Sequence, residues 1–223
     1  VVPTSIEHTM TAITNAASEI INTGATLITL GGDHSIALPL LRAHAKKYGP
    51  VSLVHIDAHI DTWESEFEEV KYSHGTPFRY ALQEGLIRAG EYMQIGIRGP
   101  LSGENDYADA KKLGARTVTI HEVMEKGIPE ILKEVHQRMK GPVYLTVDID
   151  SADPAFAPGT GTPEVGGLTS YQLRHLALGL HGLNLIGLDL VEVSPPYDHG
   201  DITAILASNI VFEYLSLLAI KGK

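Results

Sequence analysis

The chain has 223 residues, 43% hydrophobic and 20% charged, with 22 glycines and 12 prolines, a composition that fits one large globular domain and excludes a disordered, collagenous or low-complexity chain. Asp and Glu number 27 against 17 Lys and Arg, and the net charge of −10 opposes binding to a phosphate backbone while suiting a cationic ligand. There is no cysteine, which excludes disulfides, zinc fingers and a thiolate nucleophile and fits a reducing compartment; no apolar run approaches the roughly 18 residues of a membrane span.

Val1-Val2-Pro3-Thr4 shows neither an initiator methionine nor a signal-peptide pattern, so the chain is expected to start inside a longer protein. A helix over 4–24 comes first. Thr4 and Glu7 stand at capping-box spacing, and Ile6, Met10, Ile13, Ala17, Ile20 and Ile21 recur with helical period. A short buried strand over 25–30, a helix over 36–48 and a strand over 51–57 follow. Residues 58–75 have no period and read as a loop. Thr76 and Pro77 mark an N-cap and first-turn proline for a helix to about residue 87. Next are a strand over 92–98, a helix near 105–113, a strand over 116–121 and a helix over 128–139. A strand over 143–150 leads into a Gly- and Pro-rich loop over 151–168. Thr169 caps a helix to about residue 180, a strand spans 183–193, and Asp201 caps an apolar helix over 202–218. Strands alternating with helices imply crossover connections, and continuous apolar strands imply a sheet covered on both faces. The expected fold class is α/β. It is a single domain over 1–223, a three-layer α/β/α sandwich with a mostly parallel central sheet, whose ligand site lies at the carboxyl ends of the strands.

Polar residues gather at those ends. Gly31-Gly32-Asp33-His34-Ser35 follows the first strand and Asp57-Ala58-His59-Ile60-Asp61 the second; Asp148-Ile149-Asp150, then Asp153, end a later one, and Glu192 lies in the last. Asp57, His59 and Asp61 are two residues apart, so an extended backbone points them the same way, and Asp148 and Asp150 form a second such pair. Acids this close repel and raise one another's pKa, and the simplest neutralising partner is metal. The carboxylates of Asp57, Asp61, Asp148 and Asp150 match the charge of two divalent ions, with His34 and His59 completing the set. Carboxylate and imidazole without sulfur favour manganese, iron, cobalt, nickel or zinc over calcium, and the chemistry implied is metal-assisted hydrolysis. Asp33 and Asp153 read as well as caps or turn braces. Glu192, in an apolar strand where desolvation is costly, pairs with an arginine or serves a cationic substrate. Trp63 lines a pocket or anchors its loop. Dinucleotide, P-loop and Gly-x-Ser-x-Gly patterns are missing.

Taken together, Gly31-Gly32-Asp33-His34-Ser35, Asp57-Ala58-His59-x-Asp61, His74-Gly75-Thr76-Pro77 and Asp148-x-Asp150-x-x-Asp153-Pro154 resemble the arginase/agmatinase (ureohydrolase) superfamily, from about Thr26 to the C-terminal helix. The resemblance implies an arginase-like fold and two Mn2+ per chain, one on His34, Asp57, Asp61 and Asp148 and the other on His59, Asp57, Asp148 and Asp150. It implies a bridging hydroxide that attacks a guanidinium carbon, with collapse to urea and an amine. His74 matches the family's proton-shuttling histidine. Glu192, in Glu192-Val193-Ser194-Pro195, matches the acid that holds the guanidinium. His74, Glu192 and Asp61 are the expected catalytic residues, and Glu192, His74 and Trp63 the expected substrate contacts.

Residues 154–164, Thr62-Trp63, residues 73–79 and the region of Tyr197 look more like agmatinases than arginases. The expected reaction is therefore hydrolysis of agmatine to urea and putrescine, in polyamine biosynthesis. The acidic run of Glu64, Glu66, Glu68 and Glu69 would favour a cationic tail over a carboxylate. The alternatives are a guanidinobutyrase or related amidinohydrolase, with Arg79 or Arg98 meeting a substrate carboxylate, or a non-catalytic subunit of such an enzyme. The resemblance also implies a homo-oligomer, trimer or hexamer, with no nucleic-acid or membrane partner, and an N-terminal segment that this chain lacks. The expected compartment is cytoplasmic, or mitochondrial if a transit segment precedes Val1.

Overall fold

The computed structural model describes residues 5–65 and 70–220. In chain order these form α1 (Ile6–Asn22), β1 (Leu27–Leu30), α2 (Ala37–Tyr48), β2 (Val51–Ile56), α3 (Pro77–Gln83), β3 (Ile87–Ile97), α4 (Asp106–Lys112), β4 (Ala115–Thr119), α5 (Ile120–Lys126), α6 (Ile128–Arg138), β5 (Val143–Asp148), α7 (Ser170–Leu178), β6 (Leu185–Val191) and α8 (Ile202–Ile220). The six strands make one sheet in the order β1-β6-β5-β2-β3-β4, and every neighbouring pair is parallel. Every residue of β2, β5 and β6 is buried, which is why their sequences are nearly continuous apolar runs.

Two cores sandwich the sheet. On one face Met10 and Ile21 of α1, Leu38 and Leu41 of α2, and Phe78 of α3 pack on Leu53, Tyr92 and Tyr144. On the other, Ile131 and Val135 of α6, Leu173 and Leu176 of α7, and Ile210 and Tyr214 of α8 pack on Val54, Met93, Leu145 and Leu188. The strand neighbours Leu53 and Val54, Tyr92 and Met93, and Tyr144 and Leu145 therefore enter opposite cores, as a two-residue period requires. Each such side chain contributes about 1.5–3 kcal/mol of burial. The three-layer α/β/α architecture is as expected, and the sheet is wholly rather than mostly parallel.

The boundaries differ in places with local causes. Thr4 lies outside the described residues, and Ser5 caps α1 by accepting the His8 N–H. The helix expected to reach residue 87 stops at Gln83, because Gly85 takes a left-handed φ of 69°, and β3 starts at Ile87. Thr76 makes no cap bond to α3; its hydroxyl turns back to the carbonyls of Lys71 and Ser73. The strand expected over 116–121 ends at Thr119, whose side chain accepts the Glu122 N–H and starts the unanticipated α5. Asp201 holds the N-cap position of α8, its carbonyl accepting the Ile205 N–H at 2.8 Å, but the side-chain cap is not its own. It sits at φ 59°, and Asp198 instead accepts the N–H groups of Thr203 and Ala204, each at 3.0 Å. Helix α8 is also long and apolar enough to cross a membrane by length and composition, against the expectation that no run was; it packs on the sheet through Leu206, Ile210, Tyr214 and Leu217.

Candidate metal centre

The strands deliver their polar residues by one repeated device. Aspartates at or just beyond strand ends turn the chain by accepting the N–H two residues on: Asp33 from Ser35 at 2.8 Å, Asp57 from His59 at 2.6 Å and Asp148 from Asp150 at 2.9 Å. Convergence is thus made by turns and not by extended backbone. Strand β2 ends at Ile56, Asp61 has a left-handed φ of 48°, and Asp150 lies in the 3-10 turn Ile149–Ser151 after β5. Glu192 likewise lies past the end of β6, at φ 64°, and not inside the strand.

His34 is fully buried at the centre. Its Nδ1 is 2.9 Å from Asp61 Oδ2, 3.1 Å from Asp57 Oδ2 and 3.4 Å from Asp148 Oδ2. On the other ring edge Nε2 is 2.8 Å from Thr146 Oγ1, and that hydroxyl donates to Asp189 Oδ1 at 2.5 Å. Thr146 therefore accepts from Nε2–H, and Nδ1 faces three carboxylate oxygens without making a well-formed hydrogen bond to any of them. His59 Nδ1 lies 3.1 Å from Asp150 Oδ2 and 3.6 Å from Asp57 Oδ1. Donor atoms of His34, His55, Asp57 and Asp61 come within 4.8 Å of one another, and so do those of Asp57, His59 and Asp150. Asp57 belongs to both groups. The six residues expected as ligands are thus brought together, with Asp148 joined through His34.

The electrostatics show a cluster short of positive charge. Burial, reinforced by the charge of Asp57, pushes the Asp61 carboxyl up to about 7. Burial, with Asp150 and Asp57 nearby, raises Asp148 well above the carboxylate range. Burial also opposes ionisation of Asp57, but His55, His34 and His59 outweigh it and hold that carboxyl well below its ordinary value. For His34 burial opposes the charge, and Asp148, Asp57 and Asp61 overcome it and raise the imidazole well above its usual value. His59 is pushed up to about 12 in the same way, with Asp150 and Asp57 overcoming burial. A buried set that pulls protons onto His34, His59, Asp61 and Asp148 is one that a multivalent cation would neutralise better.

Of the remaining expected residues, Glu192 lies against this set. Glu192 Oε1 accepts the His34 N–H at 2.7 Å, and burial raises its pKa. His74, half-buried, is close enough for its field to act on Glu192. Trp63 anchors its loop, its indole N–H donating to Asp106 at 2.9 Å. It lines a 240 Å³ cavity with Ile60, Thr62 and Arg79. Asp153 braces a turn, accepting from Ala155, Gly166 and Gly167. Glu64 is described; Glu66, Glu68 and Glu69 of the acidic run lie outside the described residues.

Sequence reading missed three participants, His55, Asp189 and Gly99. His55 donates to Asp57 at 2.6 Å, and its position two residues before Asp57 in an apolar strand was the available signal. Asp189, fully buried, accepts from Thr146 and from Tyr144, and was marked by the same anomaly as Glu192, an acid in an apolar run. Gly99 leaves room for His59, because a Cβ there would collide with the imidazole. Arg98 spends its guanidinium on the carbonyls of Gly96, Asp150, Ser151, Ala152, Glu164 and Val165, which removes it as a partner for a substrate carboxylate.

A model of the arginase family matches residues 1–216. The chain is 45% identical over 215 residues to the mitochondrial guanidino acid hydrolase of Homo sapiens, across 96% of this chain and 61% of that protein. It is 47% identical over 207 residues to the mitochondrial agmatinase of Gallus gallus, across 92% of this chain and 61% of that protein. The solved proclavaminate amidino hydrolase from Streptomyces clavuligerus superposes with a TM-score of 0.92 at 41% identity, over 98% of this chain and 73% of that one. The chain therefore spans 61% of the length of these curated relatives. On this fold and this family match, the chain belongs to the arginase family.

Proposed function

We propose that the chain is a two-manganese hydrolase that cleaves the guanidino group of agmatine, giving urea and putrescine. The observation that carries the metal reading is His34 Nδ1, a buried, unbonded nitrogen facing oxygens of Asp57, Asp61 and Asp148. A cation is the partner that satisfies all four atoms at once. His34, Asp61, Asp57 and Asp148 would hold one ion, and His59, Asp150, Asp57 and Asp148 the other. Two such ions, when bound, supply Lewis acidity and a water acidic enough to be a nucleophile near neutral pH.

The chain's own residues supply the rest. Glu192, fixed by the His34 N–H, offers a carboxylate fork matched to a guanidinium, and its partial burial strengthens that pairing. This orients the guanidinium carbon toward the cluster. His74, close enough for its field to act on Glu192, is assigned proton transfer to the leaving amine. Trp63 is assigned a contact with the distal end of the substrate. Agmatine is favoured over a guanidino acid because Arg98 is saturated by carbonyls and Arg79 Nε is held by the Thr62 carbonyl at 2.8 Å. The guanidino acid reading is second, supported by the similarity to the human guanidino acid hydrolase. That relative and the agmatinase are mitochondrial by name, which supports the mitochondrial alternative for the compartment.

The test is urea release by manganese-loaded protein from agmatine, 4-guanidinobutyrate and arginine, alongside the His74→Asn variant. Agmatine should give the highest kcat/KM, and the variant should keep its metal while urea release falls by about 10²–10⁴. A higher kcat/KM for either carboxylate substrate would overturn the substrate assignment. Unchanged turnover in the variant would remove His74 from proton transfer.

A further inference from the structure

One row of polar side chains crosses the sheet beneath the cluster. Thr29, Asp189, Thr146, His55, Gln94 and Thr117 are successive register partners on β1, β6, β5, β2, β3 and β4. Such a row in the middle of a buried sheet is costly unless every group is paired, so the direction of its hydrogen bonds is informative.

The direction can be read from Gln94. Its amide end lies 2.5 Å from the Ile60 carbonyl, which only accepts, so the atom there is the nitrogen and not the oxygen. Thr117 Oγ1, at 2.5 Å, then donates to Gln94 Oε1. The second Gln94 N–H points to Tyr92 Oη at 3.0 Å. Tyr92 is left with its own proton to give, and His55 Nδ1 stands 3.1 Å away. A protonated Nδ1 would instead put two N–H donors on Tyr92 Oη and strand the phenol proton, with Tyr92 1% and His55 0% exposed. Nδ1 is therefore the acceptor, and the ring proton sits on Nε2, which donates to Asp57 Oδ2 at 2.6 Å.

We propose that His55 is a positioning residue, an Nε2–H donor that orients Asp57, and not a ligand, although a ring nitrogen lies in the same 4.8 Å group as His34, Asp57 and Asp61. The proposal rests on the metal reading above. Asp57 Oδ1 takes the His59 N–H and Oδ2 the His55 N–H, each at 2.6 Å. Each oxygen then keeps a lone pair for its own half of the cluster: Oδ2 beside His34 at 3.1 Å and Oδ1 beside His59 at 3.6 Å. A carboxylate shared between two cations needs that presentation, and His55, backed by Tyr92 and Gln94, holds the plane.

The experiment is manganese titration of chelator-treated protein by calorimetry, for the unmutated chain, His55→Phe and His55→Gln. His55→Phe should still take two ions per chain but bind them about 10–100-fold more weakly, the usual effect of losing a partner behind a ligand. His55→Gln, which can present a side-chain N–H to Asp57, should recover most of that loss. One ion per chain in both variants would make His55 a ligand, and affinities unchanged in both would leave it no positioning role; either result overturns the proposal. In case His55→Phe does not fold, histidine nitrogen NMR on the unmutated protein reads the same point with zinc as a diamagnetic probe. The Nε2–H of His55, identified by its loss in His55→Gln, should persist when zinc is added, and its disappearance on zinc binding would overturn the proposal. Failure of the unmutated protein to bind either metal would instead sink the metal reading itself, while the tautomer seen without metal would still report on Tyr92 and Gln94.

Discussion

Asp61 and His34 carry the clearest consequence at the scale of single residues, because protons and metal compete for the same atoms. The Asp61 carboxyl, raised to about 7 by burial and Asp57, is half protonated near neutral pH, whereas a metal requires the carboxylate. His34 and His59 are raised as well, by Asp148, Asp57 and Asp61 for one and by Asp150 and Asp57 for the other, and both must lose protons to ligate. All three act in one direction. Manganese affinity should rise steadily from about pH 6 to pH 9, with protons released on binding. Stability of the metal-free protein should run the other way. A histidine whose folded pKa is raised stabilises below its unfolded pKa, and that contribution is lost as pH climbs through the folded value; a raised aspartate loses its contribution between its unfolded pKa and about 7. Calorimetry in buffers of different ionisation heat, with thermal unfolding of the chelated protein, checks both signs. Proton uptake on binding, or metal-free stability that grows over this range, would contradict the assignment.

The loop after β5 shows what is gained at the level of elements. Residues 151–168 read in sequence as a long irregular connection, yet Ala152 pairs with Leu168 and Arg98 gathers the carbonyls on both arms. Arg98→Ala would leave these carbonyls without their charged donor. It should lower the unfolding free energy by about 3 kcal/mol, with proteolysis beginning within residues 150–165, as read by urea unfolding and limited digestion. A loss under about 0.5 kcal/mol would show that water replaces the guanidinium. Apolar runs exposed the strands, and Asp-x-His and Asp-x-Asp exposed the cluster, although for the wrong geometric reason: the spacing of two serves an aspartate turn and not an extended face. Helix α5 was hidden because Thr119 serves as both strand end and cap. The Asp198 cap of α8 was hidden because a side chain reaching five and six residues ahead leaves no local pattern. His55 and Asp189 became interpretable only through cross-strand register, which a single sequence does not display.

For the whole molecule, the sheet places a buried cation-seeking cluster at one edge and leaves an apolar helix face at another. Helix α8 exposes Ile202, Ile205, Phe212 and Leu215, and a groove of about 430 Å³ beside it is lined by Phe156, Tyr171, Ile202, Ile205 and Leu206. The family resemblance implies a homo-oligomer, and self-association would give this apolar face a surface to cover it. Light scattering should give a mass above that of one chain, and a monomer at all concentrations would refute it. The central claim is that the cluster is a two-metal hydrolytic centre, and a direct count of bound metal tests it most simply. Elemental analysis of manganese-loaded and then desalted protein should give close to two ions per chain; a reproducible zero would contradict the account.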